Sequence, residues 1–182
     1  MIFVTDATGQ CVYVSSEWTS LTGQPVNEAL AWGWLDRVHP EDRQTVSETI
    51  CAAVKTAAEF CVRYRLLRAD DSPRWIGAGG VPSFGMEEGC FIGYLGSITE
   101  LAEGATDTIA AYGNVGRFVP PEPHPSTMPG DHLDLIADHL ILAHSMIEGD
   151  GARAALPHVK LALLEIGIAL AARTREAVRP LN

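Results

Sequence analysis

The chain has few cysteines, and they are too scattered to hold it together. Cys11, Cys51, Cys61 and Cys90 form no C-x-x-C pair, so neither a disulfide framework nor a thiolate zinc site is indicated, and all four are expected to be small core residues. Basic residues are also scarce. Thirteen Lys and Arg stand against 23 Asp and Glu, a formal net charge of −10, which opposes nucleic-acid backbones and anionic bilayers. Neither nucleic acid nor membrane is an expected partner. No apolar run reads as long enough to span a bilayer, and no basic segment precedes a hydrophobic stretch at the N-terminus, so a cytoplasmic location is expected. Nucleophile elbow, P-loop, dinucleotide fingerprint and H-E-x-x-H are all missing, which leaves an enzyme reading without chemistry. What is present is 47% hydrophobic residues in a chain of 182, ample for a packed core and more than one small domain requires.

Local patterns divide the first hundred residues into elements. Ile2-Phe3-Val4-Thr5 and Cys11-Val12-Tyr13-Val14 flank an Asp6-Ala7-Thr8-Gly9 turn, which reads as a hairpin. Ser15 or Ser16 offers a hydroxyl N-cap to a short helix through Trp18 and Leu21, and Gly23 can close it. Pro40 suits a first helical turn, with Glu41 and Asp42 at the favourable end of the dipole. Val46, Ile50, Ala53, Val54 and Ala57 then recur at helical spacing to about Ala58. Phe60, Val62, Tyr64 and Leu66 alternate as a half-buried strand does. Asp70-Asp71-Ser72 turns the chain, and Arg74 to Val81 and Cys90 to Ile98 read as two more strands around a loop at 82–89.

Two segments carry a family resemblance. Trp34 to Arg43, containing Val38-His39-Pro40-Glu41-Asp42, and Tyr64 to Ile76, containing Tyr64-Arg65-Leu66-Leu67-Arg68-Ala69-Asp70-Asp71 and Arg74-Trp75, resemble the core of a PAS domain of the PAS fold-3, or PAS-PAC, type. With the closing Gly93 to Glu100, the resemblance covers roughly residues 1–100. It implies an α+β fold, a five-stranded antiparallel sheet with flanking helices, followed here by a C-terminal α-helical hairpin. It implies sensing and docking rather than catalysis. Any ligand is expected between the long helix and the inner sheet face, near Trp34, Val46, Ile50, Phe60, Tyr64, Trp75 and Phe91; the same side chains would fill the core if no ligand binds. No cofactor is expected. The long helix has no histidine over residues 43–58 to match a haem ligand, the light-sensing cysteine motif is missing, and His39 is expected to be structural. Ser97-Ile98-Thr99 replaces the family's Asp-Ile-Thr, so a charged tie from the last strand to a downstream helix is not expected.

The remainder differs in kind. Residues 101–131 are rich in Gly and Pro, centred on Val119-Pro120-Pro121-Glu122-Pro123, and read as an extended, loosely ordered linker. Residues 132–179 read as a helical hairpin. Leu133, Ile136 and Leu140 lie on its first helix, which the Glu148-Gly149-Asp150-Gly151 stretch is expected to break after about Ile147. Leu156, Val159, Leu163, Ile166 and Leu170 lie on one face of the second helix, and Leu161, Leu164 and Ile168 on another. A hairpin cannot bury both faces alone, so homodimerisation through Leu133, Ile136, Leu140, Leu156, Val159, Leu163, Ile166 and Leu170 is the favoured expectation, with folding back onto the outer face of the sheet as the alternative. Asp138-His139 admits a phospho-accepting reading, though apolar residues succeed it where a phosphotransfer helix carries polar ones. The functional expectation is a non-catalytic signalling protein acting as an interaction adaptor or sensor with an unnamed protein partner. A small-molecule sensor and a phosphorelay fragment are the alternatives. No metal ligand set is expected.

Overall fold

The computed structural model describes residues 1–85, 89–102 and 110–178. Parts of the expected 82–89 loop and 101–131 linker therefore lie outside the described residues. The fold is α+β, built on an antiparallel sheet of β1 (Ile2–Thr5), β2 (Cys11–Val14), β3 (Phe60–Leu67), β4 (Pro73–Phe84), β5 (Phe91–Glu100) and β6 (Tyr112–Val115). Its order is β2-β1-β5-β4-β3-β6. The expected five strands are thus six. The extra strand comes from the Gly/Pro-rich segment and pairs with β3 from Phe60↔Val115 to Arg63↔Tyr112, giving hydrogen-bond partners to an edge that would otherwise be open.

The inner sheet face is covered by α1 (Glu17–Thr22), α2 (Val26–Ala29) and α3 (Arg43–Thr56). Gly23 closes α1 in the left-handed region at φ 73°, as only a residue without Cβ does cheaply. The hydroxyl cap expected at its other end is not made; Ser15 Oγ instead accepts from the Ile2 amide at 3.1 Å, tying β1 to the end of β2.

The two segments that carry the resemblance meet in space. Asp42, 1% exposed, accepts from the Arg65 backbone N–H at 2.8 Å and from Arg65 Nε at 3.0 Å, while the His39 amide donates to the Arg65 carbonyl. Burial works against the Asp42 carboxylate, yet these Arg65 hydrogen bonds hold its pKa below the ordinary carboxylate value. The motif residues are therefore a clamp between the start of α3 and the middle of β3.

The outer face is covered by α4 (His132–Asp150) and α5 (Leu156–Val178). Asp131 caps α4 by accepting from the Leu133 amide. The helix continues through Gly149 to a left-handed Gly151, one turn beyond the expected end, because one glycine costs a helix only about 1 kcal/mol. Pro157 is the second residue of α5, where its missing N–H has no partner to lose. Ile2, Val4, Tyr13, Val81 and Leu95 of the sheet pack with Ala137, Ile141, Leu163 and Leu170 of the hairpin. The hairpin folds back, and the apolar face expected to form a dimer seam is used inside the chain: Leu163 and Leu170 are buried, Leu133, Leu140, Val159 and Ile166 partly so against the same cluster, Leu156 is half-buried, and only Ile136 is exposed.

The segment before the hairpin is fastened rather than loose. Phe118 is 1% exposed and lies over Gly79, where a Cβ would stand 2.3 Å from its ring. Pro121 covers Gly77 in the same way. A charged tie also exists, from a residue beyond the Ser97-Ile98-Thr99 motif. Glu100 is buried, accepts from Arg68 Nη2 at 2.8 Å and from Ser126 Oγ, and so links β5 to the segment leading into α4.

One exclusion is also revised. The stretch Arg153–Glu176 is long and apolar enough, by length and composition, to cross a membrane. Here its apolar residues are divided between the sheet side, with Leu163, Leu164 and Leu170 buried, and the open side, with Leu161 and Ile168 exposed.

Candidate functional site

Between α3 and the inner sheet face lies an apolar cavity of about 50 Å³, lined by residues that include Phe3, Cys11, Trp18, Tyr94 and Ile98. Of the expected residues, Trp34, Val46, Ile50, Phe60 and Tyr64 line it. Trp75 does not. Ile76 and Ala78 belong to the inner core, so strand alternation turns Trp75 to the other face, where the Arg65 guanidinium sits 5.7 Å from its ring centroid. Phe91 is one ring removed, its centroid 5.0 Å from that of Tyr94, whose ring in turn meets Phe60 edge-on at 5.0 Å.

The cavity is well below the roughly 300 Å³ at which drug-sized ligand sites begin, and its wall offers little polar chemistry. Burial pushes the Cys11 thiol up to about 12, with its Sγ near the Tyr13 carbonyl at 3.2 Å, so it is neither a nucleophile nor a ready metal ligand. All four cysteines are free. Cys51 and Cys90 are exposed rather than core residues, because Cys51 falls off the buried stripe of α3 and Cys90 precedes the first residue of β5.

The outer side holds more polar groups than its apolar pattern suggested. Tyr13 Oη donates to the buried Asp134 at 2.7 Å, and burial raises that carboxyl to about 6 against the effect of this bond. His144 is fully buried, and among the described residues neither ring nitrogen has a hydrogen-bond partner. Its Nε2 stands 3.8 Å from Glu59 Oε1, and Glu148 completes a group of three whose ligand atoms lie within 4.8 Å of one another. His139, the candidate phospho-acceptor, is exposed, with Nδ1 2.8 Å from the Leu135 carbonyl oxygen. An open groove of about 250 Å³ runs between α5 and the β1–β5 side of the sheet, past Gly167, Ile168 and Ala171.

Sequence reasoning missed the Glu59–His144–Glu148 group. Its only sequence signal is the four-residue spacing of His144 and Glu148, which puts them on one side of α4; nothing local joins either to Glu59.

A family model described as the PAS fold matches residues 11–98. The chain is 35% identical over 103 residues to an uncharacterized protein, y4lL, of Sinorhizobium fredii (strain NBRC 101917 / NGR234), a match spanning 57% of this chain and 12% of that protein. Among solved structures, the N-terminal domain of a diguanylate cyclase with PAS/PAC sensor from Marinobacter aquaeolei is 19% identical, with 58% of this chain and 97% of that one covered and a TM-score of 0.52. A Rhodobacter sphaeroides LOV protein is 18% identical, with 97% and 89% covered and a TM-score of 0.51. At these identities the structural likeness concerns the fold, and the last of them extends through the helical hairpin.

Proposed function

We propose that this chain, whose residues 11–98 belong to the PAS fold family, is a non-catalytic cytoplasmic signalling protein whose folded-back hairpin presents an interaction surface, with a second copy of the chain as its first partner. The observation that carries this reading is the set of exposed apolar side chains on the two hairpin helices. Leu135, Leu142 and Met146 recur along α4 and Leu161 and Ile168 along α5, with Met146 57% and Ile168 54% exposed. Large exposed apolar patches mark contact surfaces, and a self-complementary surface closes most simply as a two-fold dimer. These residues differ from the seam expected from sequence, and the dimer would bury the face that the sheet leaves free.

Native mass spectrometry and sedimentation of the full chain test the proposal against a Met146→Glu/Ile168→Glu variant. The wild type is expected to be a dimer at micromolar concentration, and the variant a folded monomer with dissociation at least tenfold easier. A monomeric wild type removes the homodimer.

A second reading, small-ligand sensing, rests on the apolar cavity beneath α3. A ligand larger than a few solvent-sized groups would have to displace side chains such as Ile50 or Trp34. Mass retained by the full chain in the same spectra, and lost on filling the cavity with Ala78→Leu, supports it.

A further inference from the structure

Buried histidines ordinarily spend both ring nitrogens on partners, because an unsatisfied buried polar group loses its hydration with nothing in exchange. Among the described residues, His144 has spent neither. Its separation of 3.8 Å from Glu59 Oε1 is too long for a hydrogen bond, yet Glu59 is held firmly: its other carboxylate oxygen accepts from the Phe118 amide at 2.7 Å, and its carbonyl accepts from Gly116. Glu148 approaches from the next turn of α4, so that one imidazole and two carboxylates converge from two distant parts of the chain.

We propose that Glu59, His144 and Glu148 form a binding site for one divalent zinc-type cation, which pins the C-terminal half of α4 to the start of β3. One neutral imidazole nitrogen and two carboxylate oxygens suit zinc, with water as a fourth ligand. Tetrahedral zinc with bonds near 2.0–2.2 Å sets its ligand atoms about 3.3 Å apart. The present separations, 3.8 Å for one pair and within 4.8 Å for all, exceed that value by at most about 1.5 Å, and Glu148 is the side chain that would move in, since Glu59 is fixed by the Phe118 amide.

The electrostatics support the donor set and also limit it. Burial lowers the pKa of His144, with Glu148 opposing and Lys160 and Arg117 adding to the shift, so the imidazole is neutral and its lone pair is available near neutral pH. Burial raises Glu59, opposed by the Phe118 amide, raised further by Glu148, and lowered by Lys160 and Arg117. Arg117 is engaged with the Ser145 carbonyl. A bound cation would satisfy the orphaned imidazole and relieve the repulsion between Glu59 and Glu148, while the two nearby cationic side chains moderate its affinity.

The test titrates Zn²⁺, and separately Co²⁺, into full-length protein stripped with a chelator. Expected are one Zn²⁺ per chain by calorimetry, a visible Co²⁺ spectrum of low coordination number, and a Tm that rises with zinc. Glu148→Gln should bind at least tenfold more weakly. His144→Leu should lose the Co²⁺ spectrum and the zinc-dependent rise in Tm, while matching or exceeding the metal-free wild type in stability, since it removes an unsatisfied buried group. Absence of saturable binding to the wild type overturns the site, as does binding that survives both substitutions unchanged.

Discussion

The two faces of the one sheet are built differently. The inner face is closed by side chains that come from the sheet and the helices next to it in sequence: Phe60, Tyr64 and Tyr94 from the strands, Val46, Ile50 and Ala53 from α3, with a residual space of about 50 Å³. The outer face is closed by chain that arrives from beyond the last of the five central strands: Phe118, then Ala137 and Ile141 of α4, then Leu163 and Leu170 of α5. It also leaves a groove of about 250 Å³ beside α5. The polar groups differ in the same way. At the inner edge, Asp42 is fully engaged by Arg65; on the outer side, burial raises the Asp134 carboxyl to about 6 and His144 has no hydrogen-bond partner among the described residues. The difference teaches that the inner layer is closed almost wholly by side chains near it in sequence, with Ala111 and Val115 added from beyond β5, whereas the outer layer depends on the distant hairpin and leaves apolar side chains of both its helices exposed.

The strongest way to break this comparison is Phe118→Ala. The ring is 1% exposed and sits on the Gly79 backbone, so truncation is expected to cost about 4 kcal/mol. Urea unfolding followed by hydrogen exchange should show α4 and α5 losing protection before α3. Equal loss in all three would make the two faces a single cooperative unit and dissolve the distinction.

Asp42→Asn attacks the inner side. Removing one member of a buried pair costs about 3 kcal/mol, and here protection should fall first in α3 and β3, with hairpin protection declining only as the whole fold unfolds. Arg65→Lys, which keeps the charge and loses the fork, is expected to recover only part of that loss.

The smallest effect is a difference in pH response. Asp42 has a folded pKa below its unfolded one, so its contribution is present above the ordinary carboxylate range and is lost as pH falls through the folded value. Asp134 has the opposite sign. Its pKa is raised to about 6, by burial first, against the Tyr13 hydrogen bond, with Glu17 and Asp131 raising it and Arg173 lowering it. Its contribution is therefore complete below the ordinary value near 4 and is lost as pH rises through about 6. His144 and the α-amino group of Met1, both lowered by burial, act against it in the same range. The informative measurement is thus the difference in stability between wild type and Asp134→Asn. That variant should gain relative to wild type by roughly 1 kcal/mol between pH 5 and pH 7, and a difference that is flat across this range would return Asp134 to an ordinary surface-like carboxylate.

Much of the fold can be read from the chain because its signals are local. The Asp6-Ala7-Thr8-Gly9 turn, the stripe of α3, the alternation of Phe60 to Leu66 and the left-handed Asp71 at φ 59° each depend on a handful of neighbouring residues. β6 is not legible: Tyr112-Gly113-Asn114-Val115 is short, contains a glycine and gains its strand character from the open edge of β3. Trp75 reads as a cavity residue for being aromatic, although its parity with Ile76 and Ala78 already points the other way. The hairpin defeats periodicity for a different reason. α5 is apolar on both sides, so spacing alone gives no ground for choosing which side meets the sheet.

By itself, the sequence determined the order of elements over the first hundred residues, the α+β class, five residues of the inner cavity wall and the presence of two C-terminal helices, because turns, caps and apolar periods act over a few residues. Only the tertiary structure decided that the Gly/Pro-rich segment supplies a sixth strand, that Phe118 seats on Gly79, that Leu163 and Leu170 face the sheet while Leu161 and Ile168 face outward, and that Glu59 meets His144 and Glu148. Each of these depends on which of several equally apolar or equally polar surfaces come into contact, and that choice is made by packing and burial across the whole molecule rather than by any short stretch of chain.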